Sequence, residues 1–597
     1  MTIKKENIPD PKKIEKEIGE FLHQKYGDQV KLVTPVVLPA PDRAEGDVPP
    51  VRPINERINF DLKPQELVAY LDQFIIKQDQ AKKIIATKIC THFNRIKHQH
   101  RWNTNNRVVG AIKNNILMLG PTGVGKTYMI RLIAQKIGVP FIKGDATKFS
   151  ETGYVGGDVD DLVRDLVREA GNDIELAQHG IIYIDEIDKI ASSRNLIGPD
   201  VSRSGVQRAL LTLMEETDVE MKVAHDPVSI MQEVEAFRKT GKREKRVVNT
   251  KNILFIMSGA FSGLQDIIGK RLSRQAIGFS AQPSRSDEDP YQAMQSVKSE
   301  DLTEYGFETE FVGRLPVRAI FETLTEKDLF DILKNPSNPL ILSKKLDFAA
   351  YDIDIRFDDE ALRLLARRAF EEKTGARGLV NSLEQALIHF ENRLPTSGVG
   401  HLPVTADTVT DPEEALPRIL EAAPQDLKNR GDQLRRREKE ALLAVIPDKC
   451  RSRAEKHRFP LTPGRIDVIA EFYINNITDV DTAFESVRAY FEEARRIEEY
   501  FTNRFDLSIS LTEDALEHIV RQYIQGNYAS FEQVGEEMGA NFADGFRLLV
   551  DKAGHDIITV TQQALMFPES WLNSMIKQAF GVQNTEPDPP RTGLSPS

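Results

Sequence analysis

The chain has 597 residues, 40% of them hydrophobic and 28% charged, with a formal net charge of −12. That length implies several domains of about 150 residues each, and the composition is that of a globular protein rather than a fibrous or disordered one. No run of about 18 apolar residues occurs, so a membrane-spanning helix is not expected, and the acidic balance argues against a protein devoted to nucleic-acid backbones. The N-terminus lacks an apolar h-region, and Cys90 and Cys450 form no CxxC pair. Secretion and a structural zinc site are therefore not expected; a reducing, cytoplasmic setting is.

In chain order, residues 1–33 read as an N-terminal helical segment, and residues 34–62, proline-rich from Pro35 to Pro53, as a linker. A helical pattern begins at Lys63, with Leu67, Leu71 and Ile75 spaced by four. From 114 to 320 four short apolar runs, NILMLG, VPFIK, GIIYIDE and NILFIMSG, alternate with amphipathic stretches. Strands separated by helices predict an α/β domain over 63–320, a parallel sheet flanked by crossover helices. Residues 321–400 predict a small, mostly helical domain with one strand at Ile353–Phe357. Residues 401–597 predict a helical extension, whose RRREKE run near 435 is a solvated face. Within it, DLSISLTEDALEHIVRQY (506–523) agrees with DIDIRFDDEALRLLARRA (352–369) at five of eighteen positions. Two readings stand: a degenerate repeat of the small domain at 485–580, or shared propensity.

The strongest chemical signal is Gly120-Pro121-Thr122-Gly123-Val124-Gly125-Lys126-Thr127 between a strand and a helix. Glycines let backbone N–H groups wrap a phosphate that a Cβ would keep away, and the helix N-terminus adds its positive end. Lys126 supplies charge to the β- and γ-phosphates of ATP, and Thr127 a hydroxyl to Mg²⁺. Sixty residues on, the apolar strand GIIYIDE ends in two carboxylates. Asp185 falls beside the Mg²⁺ site, and Glu186 is placed to polarise an attacking water.

These motifs sit in a longer pattern. PQELVAYLDQFIIKQDQAKK, TKFSETGYVGGDVDDLVRDLV, VSRSGVQRALLTLME, GFETEFVGRLP and KTGARGL follow one another in an order that resembles the AAA+ protein unfoldases of the ClpX/HslU group. The resemblance covers 63 to 400 and implies further roles. Gly153-Tyr154-Val155-Gly156 resembles the pore loop whose aromatic-aliphatic pair grips a substrate chain. Arg314 resembles the arginine finger that reaches a neighbouring subunit's γ-phosphate, which implies a homohexameric ring. Arg377 resembles sensor-2 and Ser258 sensor-1, and base contacts fall around Ile76. Ile277-Gly278-Phe279, two apolar residues isolated in a charged stretch, resembles the loop that docks on a ClpP-like peptidase.

The chain departs from the pattern in four places. The first 60 residues hold no cysteine where ClpX has a zinc domain. Lys77 stands where the family usually has Gly. The insert at 217–248 ends in the basic run Lys239–Arg246, either a greeting for acidic substrates or a solvated turn. The extension has no counterpart, and Gly539-Ala540-Asn541 carries no arginine where a repeated sensor-2 would need one. The resemblance implies an ATP-driven unfoldase acting on unfolded or tagged proteins, with a non-proteolytic remodeller as the alternative. A nucleic-acid motor on the same core fits less well, because GYVGGDVDD is acidic and aromatic rather than basic.

Overall fold

The computed structural model describes residues 57–101, 113–150, 157–192, 201–221, 246–276, 290–553 and 557–579. The N-terminal helical segment and nearly all of the linker lie outside them, as do Gly153–Gly156, Ile277–Phe279 and most of the 217–248 insert. Among the described residues, no helix is long and apolar enough to cross a membrane.

The apolar runs become β1 (Ile116–Leu119), β2 (Phe141–Asp145) and β3 (Ile181–Asp185). A short antiparallel pair, β4 (Asp218–Glu220) and β5 (Val247–Asn249), flanks the insert. The sheet continues with β6 (Leu254–Gly259) and β7 (Val317–Ile320), in the order β2-β3-β6-β1-β7, every pairing parallel. Strands β1 and β6 are buried at every residue, as expected of strands covered by helices on both faces. β7 was not among the four expected strands. Its Val-Arg-Ala-Ile text is broken by Arg318, which an edge strand tolerates by sending the guanidinium to Val297 O (3.0 Å) and Ser299 Oγ (2.5 Å).

The packed part of the linker begins earlier than residue 63. Ile58, Phe60 and Leu62 are buried, Phe60 lying against Phe93 and His179, and Asn59 N donates to Ile137 O (2.8 Å). Their alternation, not the prolines before them, decides that short stretch.

Beyond β7 come helices Glu326–Lys334, Pro339–Ala349, Asp359–Glu371 and Arg377–Arg393. β8 (Asp354–Phe357) pairs in parallel with β9 (His401–Val404), which starts one residue past the expected limit of the small domain. Two short helices, Ala406–Thr410 and Pro412–Glu421, follow. After helix Pro424–Lys456 the same order of elements recurs. Helices Pro463–Asn476 and Val480–Phe505 lead to β10 (Ile509–Leu511), and helices Glu513–Ile524 and Phe531–Ala553 to β11 (Ile558–Val560). Helices Gln562–Met566 and Pro568–Ala579 close it.

The correspondence reaches single residues. β10 and β11 are parallel; Asp506 (φ 54°) turns left-handed before β10 as Asp352 (φ 59°) does before β8. Thr512 N donates to Val560 O (3.0 Å) as Asp358 N does to Val404 O (2.9 Å). This region has its own core, including Ile446, Val468, Phe484, Phe501, Ile519 and Phe546.

Candidate ATPase site

A parallel sheet brings the C-terminal ends of its strands to one edge. The register pairs Leu119 with Gly259 and Asp145 with Asp185, so the ends of β1, β2, β3 and β6 converge there. The chain leaves β1 through Gly120–Gly125 and enters helix Lys126–Ile137. Gly125 caps that helix at φ 91° with no side-chain cap, which leaves the first-turn amides open to an anion. Gly123 (φ 74°) serves a different need. A Cβ there would fall 2.1 Å from Thr374 O, and Ala376 N donates to Gly123 O at 2.8 Å. The turn Thr374–Ala376 of the helical region beyond β7 therefore closes directly on the loop.

Each expected phosphate-site group is bonded inside this edge. Lys126 Nζ donates to Gly120 O (2.5 Å) and Pro121 O (2.7 Å), and Thr127 Oγ1 to the Tyr183 hydroxyl (3.0 Å). Asp185 Oδ1 accepts from Ser258 Oγ (3.0 Å) and Glu186 N (3.1 Å), while Oδ2 pairs with Lys143 Nζ (2.8 Å). Burial raises the Asp185 carboxyl, but the bonds from Lys143 and Ser258 outweigh it, so the group stays below the usual carboxylate range. Glu186 is exposed and left-handed at φ 57°, a conformation that costs a non-glycine residue about 1 kcal/mol. Asp188 is buried and accepts from Ala260 N (3.2 Å), tying the ends of β3 and β6.

Burial pushes the Lys126 ammonium down to about 8 against the attraction of Asp185 and Asp188. The sign follows directly. The free site loses this charge as pH rises through about 8, and a bound polyphosphate restores it. Nucleotide binding at pH 8.5 should therefore take up a proton and weaken relative to pH 7. Calorimetry in two buffers of different ionisation enthalpy reads that uptake as a difference in observed heat, and equal observed heats in the two buffers would rule it out.

The remaining candidates fall in three places. Arg377 opens helix Arg377–Arg393, exposed, and is close enough that its charge adds to the lowering of Lys126. Ile76 is half-buried and precedes Lys77 (φ 61°) and Gln78 (φ 65°). Lys77 thus adopts the left-handed backbone that suits a glycine. Its Nζ bonds to Thr323 O (2.9 Å) and Asp328 Oδ2 (3.2 Å) offset that strain.

Arg314 lies elsewhere. It sits three residues before β7, at the N-terminal edge of the sheet, where Asn115 Nδ2 donates to its carbonyl (3.2 Å) just before β1. Four strand residues, about 13 Å, separate that edge from the loop. Its guanidinium is half exposed on Glu215 Oε1 (2.5 Å).

Sequence reasoning missed Lys143, Tyr183, Asp188 and the turn Thr374–Ala376. Strand alternation puts Tyr183 on the same face as Asp185, and the register pairs Lys143 with Tyr183. The turn lies within the KTGARGL stretch, but its closure on Gly123 depends on long-range packing that no local pattern shows.

The glycine loop with an uncapped helix end, the acidic strand end beside it and a helical region folded onto the loop define an AAA+ ATPase. A family model described as AAA domain (Cdc48 subfamily) matches residues 112–318, and one for the C-terminal, D2-small domain of ClpB protein matches 324–390. The ATP-dependent Clp protease ATP-binding subunit ClpX of Treponema denticola is 38% identical over 341 residues, 57% of this chain and 78% of that protein. The protein of the same name from Borrelia duttonii is 38% identical over 349 residues, 58% and 78% of the two chains. The chain belongs to the ClpX family.

Proposed function

We infer that this ATPase is a protein unfoldase that works as a homohexameric ring and threads polypeptide through the central pore. The observation that carries the reading is the placement of Arg314. A guanidinium at the opposite edge of the sheet from its own phosphate loop serves a site only if that site belongs to a neighbouring subunit. Its partner Glu215 is half exposed, and such surface pairs hold a side chain by less than about 1 kcal/mol, so the arm is free to re-aim.

Within each site the roles follow from position. Lys126 leaves the loop carbonyls to meet the β- and γ-phosphates. Thr127 and Asp185 are hard oxygen donors suited to Mg²⁺, which when bound neutralises phosphate oxygens. Ser258 orients Asp185, Glu186 takes the proton of the attacking water, and Arg377 reports nucleotide from the small domain.

The pulling element is Gly153–Gly156, outside the described residues. The described residues on either side of it are joined, with Gly157 N donating to Lys148 O (3.1 Å) beside the Phe149–Gly157 bridge. The acidic and aromatic text GYVGGDVDD (153–161) suits a polypeptide rather than a nucleic acid. The relatives' name, a Clp protease subunit, supports delivery to a ClpP-like peptidase through Ile277–Phe279.

Tyr154→Ala should keep ATP turnover within about twofold and reduce unfolding of a tagged fluorescent protein at least tenfold. Unchanged unfolding would remove Tyr154 from the mechanism. Release of intact, unfolded product with no peptidase retained would turn the reading toward a remodeller.

A further inference from the structure

Helix Pro424–Lys456 runs from the β8–β9 pair to the joint between the ATPase domain and the helical region beyond β7. At its middle, Glu438 accepts from Lys345 Nζ (2.5 Å) and Arg356 Nη1 (2.8 Å), fixing it to the small domain. Eleven residues later Lys449 reaches across to both sides of the joint. Its Nζ donates to Gln73 O (2.9 Å), just past helix Pro64–Leu71 of the ATPase domain, and to Asn335 Oδ1 (2.6 Å), which ends helix Glu326–Lys334.

The contact is reciprocal. Gln73 Nε2 donates to Lys449 O (3.1 Å), and Asn335 Nδ2 to the same Gln73 carbonyl (2.8 Å). Arg453 donates to Gln73 Oε1 (3.0 Å) while paired with Asp481, and Tyr473 donates its hydroxyl to Pro336 O (3.0 Å). The charge of Asp479 is felt by Tyr128, the residue after Thr127. The extension thus meets the joint behind the phosphate helix.

We propose that Lys449 is a positioning residue of the ATPase: through it the extension fixes the angle between the large and small domains, and with it nucleotide affinity. The angle matters because Thr374–Ala376 closes on Gly123, and a rotation at Gln73–Asn335 carries that turn with it. A cation satisfies acceptors on two chain segments at once here, and burial already pushes its ammonium down to about 8. Removing it strips the charged donor from the Gln73 carbonyl, which keeps the neutral Asn335 Nδ2, and from Asn335 Oδ1, which keeps Ser337 N, and so unties helix Pro424–Lys456 from the joint.

The inference rests on the reading that nucleotide lies between the phosphate loop and the small domain, and the experiment separates the two. Full-length Lys449→Met should bind N-methylanthraniloyl-ADP about three- to tenfold more weakly than wild type, and Lys449→Arg should restore the affinity to within about twofold. Lys439→Met is the control. Lys439 bonds Asp467 (2.7 Å) and Glu471 (3.0 Å) inside the extension and does not touch the joint, so affinity should hold. Wild-type affinity in Lys449→Met, or an equal loss in Lys439→Met, overturns the brace. Full binding by Lys126→Met would instead overturn the placement of the nucleotide.

Discussion

Replacing Arg314 with alanine is expected to lower ATP turnover by about 10³- to 10⁵-fold while leaving nucleotide affinity within about threefold, the range for a finger supplied in trans. The split between turnover and binding follows from geometry. Among the described residues Arg314 bonds to nothing in its own site, so substrate should bind as before, and the charge that builds at the transferred phosphoryl goes unmatched. Loss of its bond to Glu215 costs little, because both partners are half exposed. Mixed rings give the sharper measurement. Arg314→Ala subunits keep an intact phosphate loop, and Glu186→Gln subunits keep an intact arginine. Mixed one to one, about a quarter of the sites pair the intact halves, and turnover should reappear. Two inactive populations that stay inactive on mixing would place Arg314 in the surface network around Lys113 and Glu215 instead.

Glu186→Gln should cut steady-state hydrolysis by about 10²- to 10⁴-fold, the usual contribution of a positioned base, and trap bound ATP. The substitution is isosteric at an exposed residue, so folding should be unaffected. Asp185 sets the contrast. Both of its oxygens are occupied, by Ser258, Lys143 and the Glu186 N–H, and a change there disturbs the strand end as well as catalysis. Filter binding of labelled ATP with single-turnover kinetics distinguishes the two. Glu186→Gln should bind and not hydrolyse; turnover within tenfold of wild type removes it as the base.

The left-handed backbone at Glu186 explains how adjacent carboxylates take different environments. Asp185 ends β3, half-buried among donors, and the chain then turns at φ 57° and leaves the next carboxylate in solvent. A strand simply continued would have pointed the two side chains to opposite faces of the sheet. The sequence shows two acids after an apolar run. It does not show the turn, because no glycine or proline marks it.

The same division runs through the whole molecule. Local chemistry determined the phosphate loop, the acidic strand end and four of the five sheet strands, because glycine spacing and fully apolar runs are signals confined to a few residues. β7 escaped because an edge strand can carry a charge, as Arg318 does. The partners of the site were decided by tertiary structure. Lys143 reaches Asp185 through parallel register, Thr374 meets Gly123 across 251 positions of chain (374 − 123), and Lys449 joins Gln73 to Asn335 from a region whose own text reads only as charged helix. Residues 506–523 of that region, a weak echo at five of eighteen positions, are matched by a parallel strand pair and a left-handed aspartate because packing constrains shape more tightly than it constrains identity. Residue types fixed what the phosphate edge can do; the distances closed by folding decided which residues stand around it.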